Sequence, residues 1–168
     1  MACMRAGALI YLGVTLLGLA TIAEGGTTEF PRRGGASVMK FDPGRDAAKD
    51  IREAAREAKR SGRRVLLDVG GDWCVWCRRL DSLFATNRTL REERDAHYVT
   101  VKVNWSKENK NETVLANYPA ISGYPHLFVL DGNGMLLHSQ DTGKLEKGKG
   151  HDPVKVLAFL KKWSLKKK

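Results

Sequence analysis

Residues 68–80 read DVGGDWCVWCRRL. Cys74 and Cys77 stand three positions apart, after the apolar run VLLDVG at 65–70, with Trp73 and Trp76 beside them. A run of that length, bounded by charges and glycines, predicts a buried strand. GGDW predicts a turn, and CRRLDSLF a helix, because Leu80, Leu83 and Phe84 share one helical face. The cysteines therefore stand where a strand gives way to a helix N-terminus. A thiolate there meets unpaired backbone N–H groups and the positive end of the helix dipole. That field is worth about 0.3–1 kcal/mol, and about 2 when partly buried. Since about 1.4 kcal/mol is a factor of ten, the helix end alone favours ionisation by roughly tenfold. Arg78 and Arg79 add positive charge. Cys74 is expected to have the freer edge and to act as nucleophile, with Cys77 one turn on resolving a mixed disulfide.

The same spacing also serves metal sites. A structural zinc needs four ligands, commonly from two such pairs, and this sequence has one pair, with His97, His126, His138 and His151 scattered elsewhere. A purely structural bridge is the other alternative, but closing so short a loop constrains the unfolded chain little. Asp68 interrupts the apolar strand six residues before Cys74. A carboxylate in a buried strand is expensive without a task or a partner. Two readings stand: a buried proton acceptor for Cys77, or a strand-end residue pointing to solvent.

The sequence has 168 residues, 42% apolar and 29% charged, with a net charge of +10. That suits one soluble domain with appendages. Arg5 is the one charge in the first 23 residues, and AGALIYLGVTLLGLATIA runs 18 residues without any. A positive start, an apolar stretch and small Ala23 before polar residues read as a signal peptide over 1–23, cleaved after Ala23. The length also permits an uncleaved anchor, since a span needs roughly 20 apolar residues. Cys3 would leave with the signal. Residues 24–45, rich in Gly and Pro, read as a linker, and 46–168 as the folded domain. Localisation is thus expected to be secreted or periplasmic, with membrane contact only if the segment stays uncleaved. The positive charge is spread out except in the C-terminal KKWSLKKK, read as a solvated helix end, with a membrane-surface tether as the weaker reading. No basic motif interleaved with aromatics points to nucleic acid. Asn87, Asn104 and Asn111 match the N-x-S/T pattern, which chance explains.

DAAKDIREAAREAKRSG places Ala47, Ile51, Ala54, Ala55 and Ala58 at helical spacing, with Asp46 as cap and Gly62 as stop. TNRTLREERDA continues or restarts the helix after the cysteines. HYVTVKVNW alternates as a strand, and TVLANYPAI predicts a short helix ending near Pro119. HLFVL and MLLHSQ are strands joined by DGNG, a hairpin signal. DPVKVLAFLKKW predicts a closing helix capped by Asp152, with Val156, Leu157, Leu160 and Trp163 inward. Strands separated by helices imply parallel pairing through right-handed crossovers, and the hairpin adds an antiparallel pair. The expected architecture is α/β, a mixed central sheet with helices on both faces.

Strand, Asp68, five residues, Cys74-x-x-Cys77 and helix together resemble the thioredoxin superfamily, and the W-C-x-x-C form sharpens the likeness. ISGYPHLFVLDGNG, at 121–134, resembles the segment in which a cis-proline precedes a strand and hairpin. VKVN, at 101–104, resembles the strand before it. The resemblance spans roughly residues 46–165. It implies a thioredoxin-like fold, Cys74 as attacking thiol, Cys77 as resolving thiol and Asp68 as the acid assisting proton transfer, accompanied by Lys102. It implies that Pro125 is the cis-proline facing the disulfide, that the Tyr124 backbone pairs with an extended substrate, and that Trp73 shields the rim. Beside the thiols Trp76 is expected to be partly exposed, and Trp73 and Trp76 are expected to face the substrate, with core packing as the alternative. Thioredoxin itself has Gly-Pro between its cysteines, where this sequence has Val75-Trp76. A histidine at position 76 would make the disulfide oxidising, and a tryptophan supplies no such charge. CVWC after GDW looks most like secreted bacterial thiol–disulfide interchange domains.

The expected function is a secreted thiol–disulfide oxidoreductase, a reductant or electron relay for exported protein thiols. Its partners would be protein thiol or disulfide substrates and an electron-donor protein. It would work as a monomer, with the Cys74–Cys77 dithiol and no external cofactor. The alternative is a thioredoxin-like copper or zinc module using Cys74, Cys77 and His126.

Overall fold

The structure is a computed structural model and describes residues 39–165. The expected signal segment, Cys3, the linker up to residue 38 and the last three lysines lie outside the described residues. Among the described residues no helix is long and apolar enough to cross a membrane.

Helix α1 (Ala47–Ser61) begins at Asp46, whose carboxylate accepts the Lys49 N–H, and ends at Gly62, in the left-handed region at φ 65°. Strand β1 (Arg64–Gly70) follows. Helix α2 (Val75–Thr86) and helix α3 (Arg88–His97) are separate, because Asn87 caps the second through the Leu90 N–H. Strand β2 (Tyr98–Asn104) leads to a single helical turn, α4 (Glu112–Leu115), then to the hairpin of β3 (His126–Leu130) and β4 (Leu136–Asp141). A 3₁₀ turn (Thr142–Leu145), the short strands β5 (Glu146–Lys147) and β6 (Gly150–His151), and helix α5 (Pro153–Trp163) complete the chain.

The sheet order is β2-β1-β3-β4. Strand β1 is central and covered on both faces, which explains a near-continuous apolar run rather than an alternating one. On one face α1 packs Ile51, Ala54 and Ala58 against Val65, Leu67, Val101 and Phe128. On the other, α2, α3 and α5 pack Leu80, Leu90, Val156 and Leu160 against Leu66, Leu127 and Val129. The mixed sheet with helices on both faces is the α/β architecture expected.

One pairing differs from the expectation. β1 and β2 are parallel, but β3 runs antiparallel to β1. The chain between β2 and β3 holds one helical turn, about 6 Å long at 1.5 Å per residue. A seven-residue strand is about 23 Å, so that turn cannot carry the chain back across the sheet. β3 therefore starts at the end where β1 finishes, which brings Pro125 to the same edge as Cys74. In α5, Phe159 is buried while Leu157 and Trp163 are only partly so.

The three sequon asparagines have structural work. Asn87 caps α3, Asn111 Nδ2 donates to the Asn104 carbonyl at 2.7 Å, and Asn104 is buried with its amide donating to the Asn109 carbonyl at 2.9 Å.

Two buried histidines set an acid sensitivity. Burial pushes His126 and His151 below the ordinary 6.5. The fold thus favours their neutral form, and that stabilisation is whole above 6.5 and lost as pH falls below it. Urea midpoints are expected to fall between about pH 7.5 and 5.5, with a shallower slope in His151→Phe. An unchanged slope in that variant would remove His151 from the account.

Candidate functional site

Cys74 caps α2. Its backbone is extended at φ −82°, and its sulfur accepts the Cys77 N–H at 3.1 Å. The two sulfurs form a disulfide with Cα atoms 5.2 Å apart. Both residues are buried, Cys74 at 4% exposure and Cys77 at 1%, so Cys74 is the slightly freer of the two. The turn before them closes with the Cys74 N–H on the Gly71 carbonyl at 3.0 Å.

The paired glycines are steric requirements. A Cβ on Gly70 would stand 2.5 Å from the Cys77 sulfur. One on Gly71 would stand 2.5 Å from Trp73 Nε1 and 2.9 Å from the Trp105 carbonyl oxygen. Trp73, 52% exposed, uses that space to donate its indole N–H to the Trp105 carbonyl at 2.7 Å. Trp73, Trp105 and Tyr124 form one aromatic group, with Trp105 stacked on Tyr124 at 4.9 Å and Trp73 edge-on to both. Tyr124 also packs against the cysteines. Tyr124 also lines a groove of about 370 Å³ with Trp105, Leu115, Tyr118 and Ile121.

Trp76 is partly exposed, with the Arg79 guanidinium 4.5 Å from its ring centre and His151 edge-on at 5.6 Å. Arg78 turns back to donate to the Asp72 carbonyl.

Asp68 is buried, so of its two sequence readings the solvent-facing one is wrong. Lys102, opposite it on β2, donates to Asp68 Oδ2 at 2.9 Å and to Asp81 Oδ1 at 2.6 Å. Asp68 Oδ1 is buried with no hydrogen-bond partner. Burial opposes the Lys102 ammonium, but Asp68 and Asp81 outweigh it and hold the group above its ordinary value. Burial raises Asp81, and Lys102 only partly offsets this.

The Tyr124–Pro125 peptide bond is cis. The Pro125 carbonyl accepts the hydroxyl of Thr142, a buried residue of the 3₁₀ turn. Thr142→Val would leave that carbonyl unpaired and is expected to cost about 1–3 kcal/mol. Urea denaturation measures it, and Thr142→Ser should recover most of the loss. A Val variant as stable as the parent would mean the bond does not anchor the loop.

Among the described residues no group of three or more His, Cys, Asp or Glu could hold a metal. His126 instead places Nε2 2.8 Å from Ser139 Oγ, with its ring 4.7 Å from Phe128, on the α1 face of the sheet. The sequence pattern gave no signal for Phe41, Trp105, Asp81 or Thr142. Phe41, inside the segment read as linker, is buried against Cys74 and Cys77.

A family model described as thioredoxin-like matches residues 46–132. Among curated proteins, the disulfide bond reductase DsbH of Chlamydia pneumoniae is 26% identical over 94 residues, covering 51% of this chain and 56% of that one. The thiol:disulfide interchange protein DsbD of Actinobacillus pleuropneumoniae is 28% identical over 86 residues, covering 51% and 15%. The match thus spans just over half of one relative and a small part of the other. Among solved structures, a disulphide isomerase from Xylella fastidiosa Temecula1 gives a TM-score of 0.64 at 24% identity, over 74% of this chain and 96% of that one. The oxidised C-terminal domain of DsbD from Neisseria meningitidis gives 0.55 at 17%, over 74% and 99%. At these identities the likeness to the solved structures is one of fold.

Proposed function

Because the chain belongs to the thioredoxin-like family, we propose that it is an exported thiol–disulfide oxidoreductase of the Dsb type, acting as a reductant or electron relay for protein thiols. One observation carries this reading: the Cys74 sulfur is itself the N-cap of α2, in line with the Cys77 N–H and the positive helix end. The similarity to a disulfide bond reductase supports the direction of electron flow.

The roles follow from position. In the reduced protein the Cys74 thiolate attacks a substrate disulfide, forming a mixed disulfide and releasing one substrate thiolate. Cys77 gives its proton to Asp68 and attacks the Cys74 sulfur. The Cys74–Cys77 bond forms, and the second substrate sulfur leaves with the electron pair of the broken bond. Lys102 holds Asp68 in place. The Tyr124 backbone and Pro125 lie along the path of an extended substrate, and Trp73 and Trp76 form its rim. A donor protein must then return two electrons. Export rests on the charge-free segment at 6–23.

Two measurements test the reading. The protein should accelerate dithiothreitol-driven insulin precipitation. Its reduction potential should lie near the about −270 mV of thioredoxin rather than the about −120 mV of DsbA. Failure to accelerate would exclude reductase activity, and a potential at the oxidising end would reverse the direction.

A further inference from the structure

We propose that Phe41 is a positioning residue that walls Cys77 and the Asp68–Lys102 pair off from water, so that the resolving thiol loses its proton to the buried carboxylate alone. The proposal rests on the exchange reaction above and adds to it a residue outside every helix and strand.

Phe41 is 7% exposed although it lies in the irregular segment before α1. Its ring joins neither of the two large core layers. It packs with Cys74 and Cys77 in a cluster of its own. The Lys102 ammonium lies 4.0 Å from the ring centre. A desolvated cation over an aromatic face is attracted by the ring quadrupole, so one ring packs with both cysteines and also meets the lysine of the acid pair. Gly70 makes the approach possible, since a Cβ there would meet both the Cys77 sulfur at 2.5 Å and Phe41 Cζ at 3.2 Å. The segment is tied at two points. Arg45 donates twice to Asp50 of α1, at 2.7 and 2.6 Å, and Asn109 Nδ2 donates to the Pro43 carbonyl at 2.8 Å.

The wall affects the second chemical step. When Cys74 is joined to substrate, the Cys77 proton must leave before sulfur can attack sulfur. The charged groups joined to that volume are Lys102 against the ring, Asp68 and Asp81 paired with it, and beyond them Arg94, which acts on Asp81. With water excluded, Asp68 is the acceptor in reach and Cys74 the electrophile in reach. With water admitted, the thiol exchanges its proton with solvent and is open to stray electrophiles.

Iodoacetamide alkylation of Cys77 tests this in the reduced Cys74→Ala protein, followed from about pH 6 to 10. Phe41→Ala is expected to raise the rate about tenfold or more and to move the profile toward that of a free thiol. Phe41→Leu, whose side chain is smaller than the ring and leaves part of the gap open, should raise it about threefold. A Phe41→Ala rate and profile matching the parent would overturn the proposal. Should circular dichroism show that the Ala variant does not fold, the Leu variant decides: a rise of about threefold supports the wall, and parity with the parent overturns it. No substrate enters this readout. A protein inert toward insulin would refute the proposed function while these rates still decide the role of Phe41.

Discussion

Cys74→Ser is expected to abolish insulin reduction, by more than about a thousandfold, as removal of a nucleophile does. Cys77→Ala is expected to stop the reaction halfway, as a covalent adduct with substrate. The asymmetry follows from the site. The Cys74 sulfur holds the N-cap of α2 and is the more accessible of the two. Cys77, at 1% exposure beneath Gly70 and Phe41, has no open path to a second protein. Without Cys74 there is no first attack. Without Cys77 the first attack proceeds, and nothing within reach displaces the substrate. Non-reducing electrophoresis of each variant with an oxidised substrate gives the answer. Adducts on Cys74→Ala but not on Cys77→Ala would exchange the two roles.

Lys102→Met is expected to destabilise the fold by about 3–5 kcal/mol, because it strands a buried carboxylate without its counter-charge. The loss should not come from packing, since methionine nearly matches the lysine stem in volume. Asp68→Asn in the same chain should restore most of it. Asp81 can turn to solvent because its side chain is 43% exposed, so it should contribute little to the penalty. The pH dependence has a definite sign. The folded Lys102 titrates above its ordinary 10.5, so its contribution is complete below 10.5 and is lost as pH rises through the folded value. Urea unfolding of the single and double variants at neutral pH measures the coupling. Equal losses in Lys102→Met with and without Asp68→Asn would show that the pair is not the source.

What residue spacing revealed was local; the partnership of Lys102 with Asp68 and the cis bond at Pro125 were legible only through the resemblance. Asp46 and Gly62 bound α1 because caps act within one turn. The DGNG hairpin and the Cys74 helix start were legible for the same reason. The direction of β3 was not, because it depends on how little helix separates it from β2. Asp68 alone is ambiguous. Only its pairing with Lys102, across the β1–β2 register, makes it a buried acid. Phe41 and Trp105 reach the site through contacts some thirty residues away in sequence and Thr142 through one 17 away, and no spacing rule marks them. β5 and β6, two residues each, are too short to show a period.

The recessed seat of the disulfide sets what kind of molecule it can serve. With Cys74 only 4% exposed, the sulfur of a partner must protrude on a flexible or unfinished stretch of chain to make contact. Proteins whose bridges lie deep inside would be passed over without any dedicated recognition, whereas a bridge held at the surface of a small chain would still be met. Selection between immature and finished clients would then arise from reach alone.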